Sequence, residues 1–95
     1  MPWITVTTGP HRDPEMPSRL AEAVAAAVAS PADLAPSDVV VLVQVATAAS
    51  GPGAMVAMSG RVRGDSVEES IRVAVREAVA GQLGLDPDLV SHVRL

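Results

Sequence analysis

The stretch 55-MVAMSGRVRGDSVEES-70 reads as a short strand, a glycine turn and the opening of a helix. Laid over 4-ITVTTGPHRDPEMPSR-19, it repeats the same order without a gap, and the match continues until segment 4–44 lies on segment 55–95. Gly9 meets Gly60, Arg12 meets Arg63, Leu34 meets Leu85 and Pro36 meets Pro87. Between and beyond them fall Ala23 and Ala74, Val24 and Val75, Ala27 and Ala78, Val28 and Val79, Ala29 and Ala80, and Val39 and Val90. Composition alone would supply several Ala and Val coincidences. The Gly, Arg, Leu and Pro pairs are harder to dismiss, because they keep register with caps and turns.

Each copy reads as a β-α-β unit. "WITVTT" (3–8) is a short β-branched run closed by Gly9-Pro10, and Asp13-Pro14-Glu15 has the form of a helix start. Leu20, Ala23, Val24, Ala27 and Val28 then make an apolar stripe running to about Ser30, where Pro31 is expected to stop the helix. Residues 39–46, "VVVLVQVA", are apolar at almost every position, which predicts a strand covered on both faces. A linker, 46–53, leads to the second copy. There Ser66 and Glu69 have capping-box spacing, and Ile71, Ala74, Val75, Ala78 and Val79 form the second stripe. Gly84 marks the helix end and "LVSHVRL" (89–95) the final strand. The expectation is one α+β domain, 1–95, with a four-stranded sheet carrying two helices on one face. The other face is left uncovered, and copies of the same sheet are the simplest cover.

Composition bounds the function. Of the 95 residues 48% are hydrophobic but Trp3 is the single aromatic, so the core is built from slender side chains and oligomerisation is expected to supply missing burial. The chain has no cysteine, which excludes disulfides, thiolate metal sites and cysteine catalysis. A net charge of −4 argues against a nucleic-acid footprint. The longest apolar run is too short to span a bilayer and contains Gln44, and no basic-then-apolar leader opens the chain, so a cytoplasmic protein with no membrane partner is expected.

Pro2 stands at the lip of the first strand. With Met1 attached its nitrogen is an amide; with Met1 removed it is a free secondary amine, titrating near neutrality if burial or a nearby cation disfavours its charged form. Proline after methionine, the doubled β-α-β unit and the glycine-containing loop together resemble the tautomerase superfamily. The segments "PWITV" (2–6), "AMVAMSGRVRGDS" (54–66) and "LGLDPDLV" (83–90) carry most of the likeness. The resemblance implies a two-unit chain, like macrophage migration inhibitory factor, with sheets packed around a trimer axis and Pro2 as general base. It implies keto-enol or double-bond proton transfer on a small anionic or enolisable carbonyl or carboxylate compound, with no cofactor and no metal. Arg12 falls where the 4-oxalocrotonate tautomerase branch keeps a carboxylate-binding arginine. That branch's second arginine falls on Val40, its aromatic near Val56, and the lysine and tyrosine of the inhibitory-factor branch on Leu34 and Ser91. The base is kept while much of the substrate-recognition set is not.

All seven basic residues are arginine. Arg19, Arg72 and Arg76 lie on helices near glutamates, as in the Glu68 to Arg72 spacing, and read as solvated pairs. Arg12, Arg61 and Arg63 sit at strand ends and loops, where a guanidinium fork suits a carboxylate or enolate oxygen; pairing with Asp13 or Asp65 is the structural alternative, favoured for Arg63. Trp3 either lines the pocket beside Pro2 or packs at a subunit contact. His11 and His92 have no ligand spacing, Met55 and Met58 read as core filler, and Ser59 has no evident base. Two other readings share the element order: a ferredoxin-like ligand-binding or dimerisation module, and a catalytically silent tautomerase-fold protein.

Overall fold

The computed structural model describes residues 1–95 and contains β1 (Trp3–Thr8), α1 (Met16–Ala32), β2 (Val40–Val45), β3 (Ala54–Ser59), α2 (Asp65–Leu83) and β4 (Val90–Arg94). The sheet order is β2-β1-β3-β4. β2 runs parallel to β1 and β4 parallel to β3, while β1 and β3 meet antiparallel at the centre, with Thr5 opposite Ala57 and Val6 opposite Val56. That central pairing carries a pseudo-two-fold axis, so the second unit is the first one turned end over end. The strands of each unit are direct neighbours, whereas a ferredoxin-like split unit would place another strand between them.

Both helices pack on one face. Met16, Leu20, Val24, Val28 and Ala29 of α1 and Ile71, Val75, Val79 and Ala80 of α2 are buried against Ile4, Val6, Val56 and Met58. Leu20, Val24, Val28 and Ala29 have Ile71, Val75, Val79 and Ala80 as their repeat mates, so the same stripe is buried in both halves. No helix is long and apolar enough to cross a membrane.

Several local expectations change in the fold. α1 begins at Met16 because Asp13 forms a turn before it, accepting from the Glu15 amide at 2.9 Å and pairing with Arg19, rather than capping the helix. Pro31 does not end α1; it is carried in the last turn, and the stop is Asp33, left-handed at φ 56°, with the Leu34 amide donating to the Ala29 carbonyl. Ser66 does not cap α2, since the helix already starts at Asp65; the acids Asp65 and Glu68 complement the positive helix end instead. Gly84 is the left-handed stop at φ 67°.

Within one chain the apolar run around β2 is covered on one face only. The two-fold places the second strand of each unit at an edge, so Val41 and Val43 are half-buried under α1 while Leu42 points away from the helices and is 49% exposed. Trp3, Met55 and Val93 share that helix-free face and are 51%, 50% and 41% exposed. Met58 is core, whereas Met55, on the opposite face of β3, is not. Replacing Leu20 by alanine removes a fully buried side chain from between α1 and the sheet. It is expected to lower the unfolding free energy by about 2–5 kcal/mol, read from urea midpoints at unchanged m-value.

Candidate functional site

The antiparallel centre of the sheet decides what surrounds the chain's second residue. β3 ends where β1 begins, with Ser59 opposite Trp3, so the turn after β3 folds over Pro2. Gly60 is the contact: an ideal Cβ there would lie 3.2 Å from the Pro2 Cα and 3.7 Å from its nitrogen, and φ is +120°, a backbone conformation that favours glycine. From the other side β2 approaches in parallel, and the Val40 amide donates to the Pro2 carbonyl at 3.0 Å. The short 3₁₀ turn Pro36–Asp38 before β2 therefore ends next to Pro2.

A pocket of about 270 Å³ results, lined by Met1, Pro2, Leu34, Asp38 and Arg63. Pro2 is fully buried while Met1 is 72% exposed. Arg63 donates from Nη1 to the Arg61 carbonyl at 3.2 Å, and its buried Nε has no partner. One small pocket thus gathers an apolar wall, a carboxylate, a guanidinium and the residue whose nitrogen becomes an amine when Met1 is absent. Asp38 was not singled out in the sequence, because a lone aspartate before a strand carries no motif; only the parallel pairing of β2 brings it here.

The remaining candidates lie elsewhere. Arg12 is beyond the far end of β1, roughly 20 Å of strand from Pro2 in the same chain, and its repeat mate Arg63 takes the place by the proline. Asp13 pairs with Arg19, so it does not neutralise Arg12. Arg61 is exposed and meets the site through its carbonyl. Trp3 lies on the helix-free face, not in the pocket. A second cavity, about 540 Å³, is lined by Thr8–His11, by Ala48, Ala49 and Gly51–Gly53, and by Leu83 and Leu85. It is the repeat mate of the Pro2 pocket, with Gly53 where Pro2 would stand and Leu85 in place of Leu34. Its histidine, His11, accepts at Nδ1 from the Asp13 amide.

A polar cluster lies between α2 and β4. Glu68 pairs with Arg94 at 2.7 Å rather than with Arg72, which bonds Glu69 instead, and this Arg72 holds the Glu69 carboxyl below its ordinary range. Arg76 is no simple surface pair, since it donates to the carbonyls of Val90 and Pro87 and so ties α2 to β4. His92 stands in this cluster with its Nε2 buried and unpartnered. Burial, and after it the charges of Arg72 and Arg94, push His92 below its ordinary value, against a smaller opposing pull from Glu68.

No family model matches the sequence, and no curated protein matches it. Among solved structures, the fold is similar to a fused 4-OT symmetric trimer, at TM-score 0.86 and 19% identity over 98% of this chain and 83% of that one. It is similar to macrophage migration inhibitory factor from Giardia lamblia, at TM-score 0.81 and 15% identity over 99% and 97%. Malonate semialdehyde decarboxylase, described with decarboxylase and hydratase activities, aligns at TM-score 0.79 and 13% identity over 98% and 82%. The chain therefore shares the fold of these structures: two β-α-β units building one mixed sheet with both helices on one side.

The His92 environment has a measurable consequence. Unfolded His92 gains its proton near its ordinary value of 6.5, and the folded residue gains it only at lower pH. Between the two the unfolded state binds more protons, so this residue's contribution to stability is intact above that ordinary value and is lost as the pH falls toward the folded one. Urea midpoints at about pH 7.5 and about pH 5.5 should show the loss, and His92→Gln should flatten it.

Proposed function

We propose that this protein is a cofactor-independent tautomerase or isomerase whose reacting group is the Pro2 amine, freed by removal of Met1. The observation that carries the reading is the burial of Pro2 in a pocket it shares with Arg63 and Asp38. The substrate is a small enolisable carbonyl compound bearing a carboxylate. Arg63, with its unpartnered Nε, holds the carboxylate or the developing enolate oxygen, a charge-assisted contact that strengthens as negative charge grows. Pro2 takes a proton from the carbon next to the carbonyl and returns it elsewhere on the conjugated system. The step is a proton shift within one molecule and needs no redox partner. Arg61, further out in the same turn, and Arg12, at the far end of β1, lie outside this pocket, so Arg63 takes the anion-binding role in this reading.

Asp38 favours a second reading. The Arg63 cation opposes charge on the amine, while a carboxylate in the same pocket favours it. A prolinium held by Asp38 would donate a proton to a carbonyl rather than accept one from carbon, which suits hydration or decarboxylation of a 3-oxo acid. The likeness to malonate semialdehyde decarboxylase supports this branch. The two readings part on the pH profile: kcat/KM rises through the Pro2 titration when the amine is the base and falls when the prolinium is the acid.

Intact mass establishes whether Met1 is removed. On the mature protein, turnover of phenylpyruvate or 2-hydroxymuconate is expected to fall about 10²- to 10⁴-fold in Pro2→Ala. Arg63→Ala should chiefly raise KM if it anchors the carboxylate in ground and transition states alike. Equal rates in the parent protein and Pro2→Ala overturn the reading.

The helix-free face supports a trimer in which three sheets pack on one another, and the fused 4-OT structure is described as a symmetric trimer. Trp3, Leu42, Met55 and Val93 supply the apolar surface such packing would bury. Leu42→Glu is expected to convert the trimer to monomer in light scattering behind a sizing column; an unchanged mass excludes this face as the interface.

A further inference from the structure

We propose that Arg94, held by Glu68, is a positioning residue of the Pro2 site, fixing the backbone turn that walls the proline nitrogen. The inference rests on the reading of Pro2 as the reacting amine. Arg94 sits on β4, two strands away from β1, and touches neither Pro2 nor the pocket lining. Every nitrogen of its guanidinium is nevertheless bonded, and three of the acceptors lie at the end of β3 and in the turn that follows it. Nη1 donates to the Met58 carbonyl at 3.1 Å and, more weakly, to the Leu95 carbonyl at 3.4 Å. Nη2 donates to the carbonyls of Gly60 and Arg61, each at 2.9 Å, and Nε donates to Glu68 Oε1 at 2.7 Å. A planar fork bound to three carbonyls along one short stretch leaves that stretch little freedom.

What it fixes is the wall of the site. Gly60 is the residue where a side chain would run against the Pro2 Cα and nitrogen, so the turn can lie this close only because a glycine stands there. The Arg61 carbonyl is shared: it accepts from Arg94 on one side and from Arg63, the pocket guanidinium, on the other. Arg94 is thereby one carbonyl away from the anion-binding group and one glycine away from the amine.

The repeat supplies an independent argument. The first unit keeps the turn glycine, Gly9, but has Val43 where Arg94 stands and Pro17 where Glu68 stands. It also has no amine, because its glycine turn faces the end occupied by Gly53 and not Pro2. A device needed only to build a strand-to-helix turn would be needed at both turns. It occurs at the one that packs on Pro2.

The test uses the mature full-length protein with Arg94→Gln, Arg94→Lys, Glu68→Gln and Pro2→Ala. Arg94→Gln is expected to lose about 10²-fold in kcat with a much smaller change in KM, and to displace the pH at which Pro2 titrates in the rate profile. Arg94→Lys should not rescue it, since one ammonium cannot serve the same carbonyls in a plane, whereas Glu68→Gln, which still accepts from Nε, should retain more activity. Amide hydrogen exchange at Gly60 and Arg61 should quicken in Arg94→Gln while that of the α1 core stays as in the parent. If Pro2→Ala is inactive but a folded Arg94→Gln or Arg94→Lys keeps parent kcat and Gly60 exchange, the positioning role is overturned alone. If Pro2→Ala is as active as the parent, the reading of Pro2 falls and this inference falls with it.

Discussion

The antiparallel pairing of β1 with β3 is the constraint on which the rest depends. It turns the second unit end over end, so the exit of β3 meets the entry of β1. That single juxtaposition lays Gly60 on Pro2, brings Arg63 rather than Arg12 to the proline, and sends β2 and β4 to the edges of the sheet. A parallel joint at the same place would have left Pro2 beside the start of β3, with glycines and alanine for company.

Two equivalent cradles follow from the pseudo-two-fold, and they differ in what was written into them. One is larger and lined mainly by Gly, Pro, Ala and Leu; the other is smaller and holds the buried proline with a carboxylate and a guanidinium. The polar cluster between α2 and β4 belongs to the second half only, since its Glu68, Arg72, His92 and Arg94 correspond to Pro17, Ala21, Val41 and Val43 in the first. The repeat gives the scaffold, and the departures from it place these charged side chains in one half only. The arginines of the chain divide accordingly: Arg19 and Arg72 bind carboxylates on exposed helix surfaces, where such pairs contribute little, while Arg76 and Arg94 bind backbone carbonyls and hold elements together.

The core is aliphatic and thin. Valine contributes Val6, Val24, Val28, Val56, Val75 and Val79 at full burial, and these short branched side chains allow helix and sheet to approach closely but bury little area apiece. The apolar surface that a larger protein would place inside lies instead on the helix-free face, where Trp3, Leu42, Met55 and Val93 stand exposed.

The element order, the helix stripes and the repeat were legible in the sequence because they rest on local periodicity and on Gly and Pro at turns, which act through their own backbone. Pro2 stands out as a candidate from the sequence alone, since whether its nitrogen can be an amine depends only on its place after Met1. Helix ends were read less well: Asp13, Pro31 and Ser66 are cap and stop residues by type, but each found a neighbouring role once the turn geometry was set. The site itself was half legible. The repeat pairs Arg63 with Arg12 but does not say which of them lies beside Pro2, and nothing local marks Asp38 or Arg94, because what they meet lies on strands distant in the chain. Strand direction and strand order are long-range choices that no local pattern carries, and they decided which arginine, which acid and which glycine stand around the proline nitrogen.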